Sequence, residues 1–241
     1  MNGPPTTSDE VSSQQLLSYD WTTSFNSMDS MIYYYAAIGV LSAMLLVYWT
    51  LDLHYFTRMG LVYISSRFIK KKAHILDQTT VSGVCLTTDV DYLLTHMNNA
   101  RYLRELDFAR ADFYQRTGLY STIQAKGGAV LQGSSTIRYR KFIRLFSVYQ
   151  ITSKIIYWDG SSIYMEHRFI SPDDKFVHAI AICKQRLLNV DVEEIMRDLL
   201  SGEKCPGGPE AAGYTKPDIP LELLRWMESN EISSANLRNG C

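Results

Sequence analysis

The sequence predicts an α+β protein in which one long helix packs against an antiparallel sheet, preceded by a single transmembrane helix. Two observations carry this prediction. An uncharged run from Ser30 to Leu51 has the length and composition of a membrane span. After it, one amphipathic helical segment is followed by several segments in which apolar and polar residues alternate, a pattern typical of a helix covering a half-buried sheet.

The composition fits one domain with additional segments. The 241 residues include 24 Lys+Arg and 25 Asp+Glu, a balance that argues against a general nucleic-acid binder. A hydrophobic content of 46% excludes a mostly disordered chain. The four cysteines lack the spacing of a disulfide framework or a zinc site, so we expect free thiols and no metal.

The N-terminal part of the chain divides into a leader and a membrane anchor. Residues 1–31 carry four acidic residues and no Lys or Arg, and we expect this polar leader to be disordered. Residues 32–51 form the predicted transmembrane helix, and the whole 22-residue uncharged run would span roughly 33 Å. A cleaved signal peptide would need a basic stretch before the run, which is absent. Cleavage, with secretion of the rest, is the alternative.

Residues 52–75 form a basic juxtamembrane segment. Its basic residues within reach of the membrane are Arg58, Arg67, Lys70, Lys71 and Lys72. Because positive charge favours the cytosolic side, we expect the C-terminal domain in the cytosol. The segment is interpreted either as lying along an anionic leaflet or as a solvated linker. We expect the endoplasmic reticulum as the membrane, although no retention address identifies it.

Residues 76–190 form the predicted α+β domain, which begins with a strand around Val84 to Thr88. Asn98 or Asn99 is expected to cap a helix that ends near Thr117, with Gly118 as its stop. The predicted buried stripe of this helix consists of Tyr102, Leu106, Ala109 and Phe113. The charged residues expected on its other faces are Arg101, Arg104, Glu105, Asp112 and Arg116.

Four further strands follow in the prediction. They are expected near Gly128–Tyr139, over Val148–Tyr157, from Ile163 to Phe169, and over Phe176–Leu188. Alternation places Tyr149, Ile151, Ile155 and Tyr157 on one face, and Asp159-Gly160 predicts a hairpin turn. His167 and His178 are interpreted as core histidines. Residues 191–241 form a helical tail, interrupted by a Gly/Pro-rich link over Gly202–Pro220.

The segment whose residue types are suited to catalysis lies at the start of the predicted long helix. Asp89 and Asp91 precede this helix, and His96, Asn98 and Asn99 lie at its N-terminal end, here called its mouth. First-turn amides carry partial positive charge and can polarise a carbonyl, and a nearby carboxylate can act as nucleophile or base. A structural interpretation stays open, because acidic residues often stabilise helix dipoles and asparagines often cap helices.

The same residues carry a family resemblance. The string HMNNARYL from His96, followed by Asp107 and Ala109-Arg110, closely resembles the D-x-D…H-x-N-N-A-x-Y-L…E-x-A-R signature of hot-dog thioesterases, the relatives of 4-hydroxybenzoyl-CoA thioesterase. The resemblance covers about Val84 to Leu188. When the predicted anchor and the C-terminal tail are included, the resemblance to one membrane-anchored type of hot-dog thioesterase extends over Ile32–Arg238. It implies a hot-dog fold, homodimers, and hydrolysis of acyl-CoA or a related lipid thioester, with no cofactor beyond the substrate's own CoA.

The resemblance also implies site residues. Asp91 matches the family's catalytic carboxylate, and His96, Asn98 and Asn99 match the other catalytic-site positions at the helix mouth. Asp107 matches the family's helix Glu, and the substrate-binding residues expected on this basis are Asp107 and Tyr102.

Two departures from the family pattern support an alternative function. Thr95 stands where the family usually has Gly, and one extra residue separates Asp91 from His96. One residue spans up to ~3.5 Å, enough to displace a carboxylate from its working position. The alternative is a catalytically inactive hot-dog module that binds acyl-CoA or membrane lipid, or scaffolds partners at the membrane.

Overall fold

The computed structural model describes residues 30–201 and 216–240. Among them α1, Ser30–Thr50, is the helix long and apolar enough to cross a membrane, and a signal sequence near the N-terminus would pass the same test. The chain divides into two units after Thr57. Residues 1–29 of the predicted disordered leader and most of the Gly/Pro-rich link lie outside the described residues, and α1 includes the last two leader residues.

The remaining elements form a helix-and-sheet domain. The helices are α2 (Leu53–Ile64), α3 (Asn99–Thr117), α4 (Leu119–Ala125), α5 (Val192–Ser201) and α6 (Leu221–Arg238), with a π-helical turn over Ser65–Ile69. The strands are β1 (Thr79–Val84), β2 (Ala129–Tyr139), β3 (Val148–Trp158), β4 (Ser162–Ile170) and β5 (Val177–Leu188). The sheet order is β1-β3-β4-β5-β2, and every neighbouring pair is antiparallel. A long helix against such a sheet confirms the predicted α+β, hot-dog class.

The core lies between α3 and the sheet. The predicted stripe of Tyr102, Leu106, Ala109 and Phe113 is buried. Local chemistry sets the limits of this helix: the Asn98 side chain accepts a hydrogen bond from the Ala100 N–H, and Gly118 has a left-handed φ of 76°. On the opposite face of the sheet, α6 packs through Leu223.

Two predictions about strands are wrong in detail. The first strand ends at Val84 instead of beginning there, because the Asp89 carboxylate accepts a hydrogen bond from the Leu86 N–H and folds the following residues into a turn. Tyr157 does not share a face with Ile155, because the β3–β4 register shifts between them. Tyr157 therefore packs in the cluster that contains Leu223.

The two strand histidines differ from each other. His167 is fully buried, and its Nδ1 lies 2.8 Å from the Ser153 hydroxyl, but its Nε2 has no partner among the described residues. His178 is half-buried and its Nδ1 lies 3.2 Å from the Lys141 carbonyl oxygen, so the expectation of a core histidine is wrong there. Only His167 belongs to the core.

The burial of His167 predicts acid sensitivity. Burial, assisted by Arg110, lowers the pKa of His167 from 6.5 to about 3. The unfolded chain therefore takes up a proton before the folded chain does, so the stability is complete above pH 6.5 and is lost as the pH falls toward 3. We expect the free energy of unfolding to be about 2 kcal/mol lower at pH 5 than at pH 7.

Thermal or denaturant unfolding of the full chain in detergent at both pH values measures this loss. His167→Gln is expected to remove most of the difference, whereas His178→Gln, at the half-buried histidine, is expected to retain it. An equal pH dependence in wild type and His167→Gln would contradict this assignment.

Candidate active site at the mouth of α3

A short loop in front of α3 brings the predicted residues together. Val90 and Met97 pair as an isolated antiparallel bridge, and the Asp91 N–H donates to the His96 carbonyl oxygen at 2.9 Å. Asp91 and His96 therefore face each other at the base of the loop. Below them, the carbonyl oxygen of the buried Asp89 accepts from the Asn98 N–H at 2.8 Å, which connects the loop to the helix cap.

The loop has an exposed tip between Asp91 and His96. Tyr92, Leu93 and Leu94 form that tip, and all three are exposed. Leu94 has a left-handed φ of 55°, a conformation that favours glycine, and its N–H donates to the Asp91 carbonyl oxygen at 3.0 Å. The tip residues thus turn back on themselves, while Asp91 and His96 stay adjacent at the base.

The Asp91 carboxylate is surrounded by donors from its own loop. One oxygen accepts from the Thr95 N–H at 3.1 Å, and the other lies 3.7 Å from His96 Nδ1. The Thr95 hydroxyl lies 2.7 Å from the same His96 nitrogen. Desolvation opposes ionisation, but the hydrogen bonds from the Thr95 and His96 backbone outweigh it and lower the pKa of Asp91. Asp91 is therefore a carboxylate at neutral pH.

A second loop lies beside the first and forms its basic and aromatic rim. Residues 140–146 approach through a bridge between His96 and Arg144, and the Phe142 ring lies 5.2 Å from the His96 imidazole. Its exposed members are Arg140, Lys141, Phe142, Arg144 and Phe146. The rim thus combines cationic side chains with two exposed aromatic rings next to Asp91.

The two asparagines and Tyr102 hold this arrangement in place. The Asn98 side chain caps α3, and the Asn99 carbonyl oxygen accepts from the Tyr139 hydroxyl at 2.9 Å. Tyr102 is buried, and its hydroxyl accepts from the Ile143 N–H at 3.2 Å. Tyr102 therefore supports the second loop from beneath.

Asp107 lies apart from the helix mouth. It forms an ion pair with Arg110 and lines a groove of about 380 Å³ between α3 and β2. Gln132 and Cys183 line the same groove. The predicted residues therefore separate into a group at the mouth of α3 and Asp107 in the groove.

Sequence reasoning missed two buried carboxylates of α3. Glu105 and Asp112 were expected on faces other than the buried stripe, but both are buried. Arg58 pairs with Glu105 through two contacts of 2.5 and 2.6 Å, and Lys70 lies 2.6 Å from Asp112. The signal in the sequence was the seven-residue spacing of the two acids, which places them on one helix face opposite a basic segment.

Glu105 also binds the sheet. The Tyr149 hydroxyl donates to its carboxylate at 2.6 Å, and burial together with this carboxylate raises the pKa of Tyr149. A side-chain carbon at Gly83 would lie 2.6 Å from the Tyr149 ring, so only glycine leaves room for this tyrosine.

Within the described part of the chain, no group of His, Cys, Asp and Glu residues is arranged to hold a metal ion.

Comparisons with known proteins agree with this architecture. A family model described as "Thioesterase-like superfamily" matches residues 85–227. Protein THEM6 of Drosophila melanogaster is 41% identical over 198 residues, which cover 82% of this chain and 97% of that protein. Protein THEM6 of Danio rerio is 34% identical over 199 residues, which cover 82% of this chain and 93% of that protein.

A solved structure is also similar. The crystal structure of YbaW, a probable thioesterase from Escherichia coli, has a TM-score of 0.46 and 24% sequence identity, and the match covers 51% of this chain and 95% of that one. The family model and the THEM6 relatives confirm the resemblance inferred from the HMNNARYL string, the anchor and the tail. The chain therefore belongs to the thioesterase-like superfamily and, within it, to the group of THEM6 proteins.

Proposed function

We propose that this protein is a membrane-anchored hydrolase of acyl-CoA or a related lipid thioester. The observation that carries the proposal is the ionised Asp91 carboxylate next to His96 at the N-terminal end of α3, in a chain of the thioesterase-like superfamily. The reaction requires no cofactor beyond the CoA of the substrate.

The proposed chemistry uses the loop and the helix end together. The thioester carbonyl lies at the N-terminal end of α3, where the partial positive charge of a 19-residue helix polarises it. Asp91 takes a proton from water, whose oxygen attacks the carbonyl carbon. The tetrahedral intermediate collapses, the C–S bond breaks, and the CoA sulfur receives the proton. In the nucleophilic variant, Asp91 itself attacks the carbonyl carbon, the C–S bond breaks and CoA leaves as a thiolate. Water then hydrolyses the mixed anhydride, which releases the acid, restores the Asp91 carboxylate and supplies the proton that the thiolate takes up.

The other site residues have positioning and binding roles in this proposal. His96 and Thr95 orient the Asp91 carboxylate, and Asn98 and Asn99 hold the helix mouth. Tyr102 acts through the loop that it supports, and the groove that contains Asp107 accommodates part of the substrate. The exposed Arg140, Lys141 and Arg144 fit CoA phosphates, and we assign them no part in the chemical step.

The cellular setting belongs to the same proposal. α1 anchors the chain in the endoplasmic reticulum membrane, and the basic residues that follow it favour a cytosolic domain. A homodimer is expected from the family, and the eleven-residue edge strand β2 offers a pairing surface.

One observation favours a second function. Thr95 stands where hot-dog thioesterases usually have glycine, and its N–H donates a hydrogen bond to the Asp91 carboxylate. An inactive module that binds acyl-CoA or membrane lipid, or scaffolds partners, would retain the fold without turnover.

A panel of acyl-CoAs separates the two functions. The full chain is reconstituted in lipid vesicles, and release of CoA thiol and equilibrium binding are measured for each chain length. Thiol release that rises with protein concentration supports the hydrolase. Saturable binding without release supports the inactive module. The absence of both binding and release would exclude the hydrolase and the acyl-CoA-binding form of the module.

A further inference from the structure

The segment that follows the membrane anchor has two different faces. Residues 58–72 run along α3 in the same direction, since Arg58 pairs with Glu105 and Lys70 pairs with Asp112. Between these two ion pairs, the Ser66 hydroxyl donates to the Asp112 carboxylate at 2.8 Å. The inward face is therefore polar and is neutralised by the two buried carboxylates of α3.

The outward face is apolar. Leu61, Ile64 and Phe68 recur at helical spacing and are exposed, and Ile69 extends the stripe. Phe68 and Ile69 are each 77% exposed. A contiguous apolar stripe of this kind marks an interaction surface when it lies on an otherwise well-paired segment.

Positive charge borders this stripe. Arg67, Lys71 and Lys72 are exposed; the Lys72 ammonium also donates to the Gln115 carbonyl oxygen of α3 at 3.0 Å, and Arg58 and Lys70 form ion pairs with the carboxylates of α3. The sequence has no Asp or Glu between Leu53 and Leu76. Apolar side chains flanked by cations, without acidic neighbours, are the composition of a helix that lies in the interface of an anionic bilayer.

We propose that the outward face, defined by Leu61, Ile64, Phe68 and Ile69 with Arg67, Lys71 and Lys72, docks on the surface of an anionic membrane. This inference rests on the membrane anchorage proposed above. Continuity along the chain favours a bilayer as the occupant, because Leu61 follows the candidate span, which ends at Thr50, by only eleven residues. Docking would hold α3, through its two carboxylates, at a fixed orientation to the lipid.

Spin labels test this proposal in the full chain. Labels are introduced as Ile64→Cys or Phe68→Cys in a background with Cys205→Ser and Cys241→Ser, since Cys85 and Cys183 are buried. The control label is Asp173→Cys, in an exposed turn. Collision of each label with lipid-soluble oxygen and with a water-soluble nickel chelate is measured in phosphatidylcholine vesicles with and without phosphatidylserine.

We expect the labels at positions 64 and 68 to become oxygen-accessible and nickel-protected in the anionic vesicles, while the control label stays in water. Each basic residue contributes about 1 kcal/mol at an anionic surface, and the substitutions reverse the charges, so the triple variant Arg67→Glu, Lys71→Glu, Lys72→Glu should lower the docked-to-undocked ratio by roughly 100-fold or more. The matched triple variant Lys175→Glu, Arg225→Glu, Arg238→Glu is expected to leave it unchanged.

Two outcomes would overturn the proposal. One is a water-exposed label at position 68 in both kinds of vesicle. The other is a label protected from both reagents and spin-coupled to a second label, which would assign the face to another copy of the chain. Flotation and thiol release, measured on the same vesicles, report separately on anchorage and on hydrolysis.

Discussion

Asp91→Asn is expected to lower kcat/KM for acyl-CoA hydrolysis by roughly 10³-fold, the usual contribution of a positioned acid–base group. The amide retains the size of the side chain and its contact with the Thr95 N–H, but it can neither take a proton nor attack a carbonyl. The variant should therefore keep its fold and its affinity for acyl-CoA. Release of CoA thiol by the full chain in vesicles, with binding measured in parallel, determines both quantities.

The matched control for this change is Asp173→Asn, which removes a carboxylate from an exposed turn outside the site. We expect it to match the wild type in rate and in binding. Hydrolysis that survives Asp91→Asn at the wild-type rate would assign the chemistry to another carboxylate.

Glu105→Gln is expected to destabilise the domain by about 3 kcal/mol, because removing one partner of a buried ion pair leaves the other charge uncompensated. The neutral glutamine removes the negative charge that balances Arg58, but its side-chain oxygen can still accept the hydrogen bond from the Tyr149 hydroxyl. Unfolding of the full chain in detergent measures this loss. Hydrogen exchange across residues 58–72 should show where the opening begins.

A surface pair provides the control for this second prediction. Glu228→Gln breaks the exposed contact with Arg225 and should change stability by less than about 0.5 kcal/mol. Replacing the whole buried group, as Arg58→Met with Glu105→Leu and Tyr149→Phe so that no hydroxyl loses its acceptor, should recover much of the stability lost in Glu105→Gln. A Glu105→Gln domain as stable as the wild type would mean that Arg58 is well solvated.

The limits of α3 could be predicted from the sequence because they depend on local chemistry. An asparagine cap and a glycine stop act within a few residues, so the sequence narrowed the cap to Asn98 or Asn99, of which Asn98 is the cap, and identified Gly118 correctly. The buried stripe followed from helical periodicity alone. The HMNNARYL string located the site segment for a similar reason, because its residues are contiguous and their spacing is visible.

The remaining features depend on distant partners. Glu105 is buried because Arg58, 47 residues earlier in the chain, neutralises it, and no local pattern reports that pairing. Tyr157 changes face because the β3–β4 register shifts, which is a property of two strands together. The spacing of Asp91 and His96 was visible in the sequence, but their contact at the base of the loop depends on the Val90–Met97 bridge.

The most direct test of the proposed function is a single turnover with the protein in excess over an acyl-CoA. The full chain in vesicles is mixed with substrate, and the thioester, free acid and CoA are quantified over time, with Asp91→Asn alongside. We expect wild type to convert all bound thioester to equal amounts of acid and CoA, and Asp91→Asn to bind the thioester and leave it intact. Wild-type protein that binds acyl-CoA and leaves the thioester intact would contradict the assignment of hydrolysis to this chain.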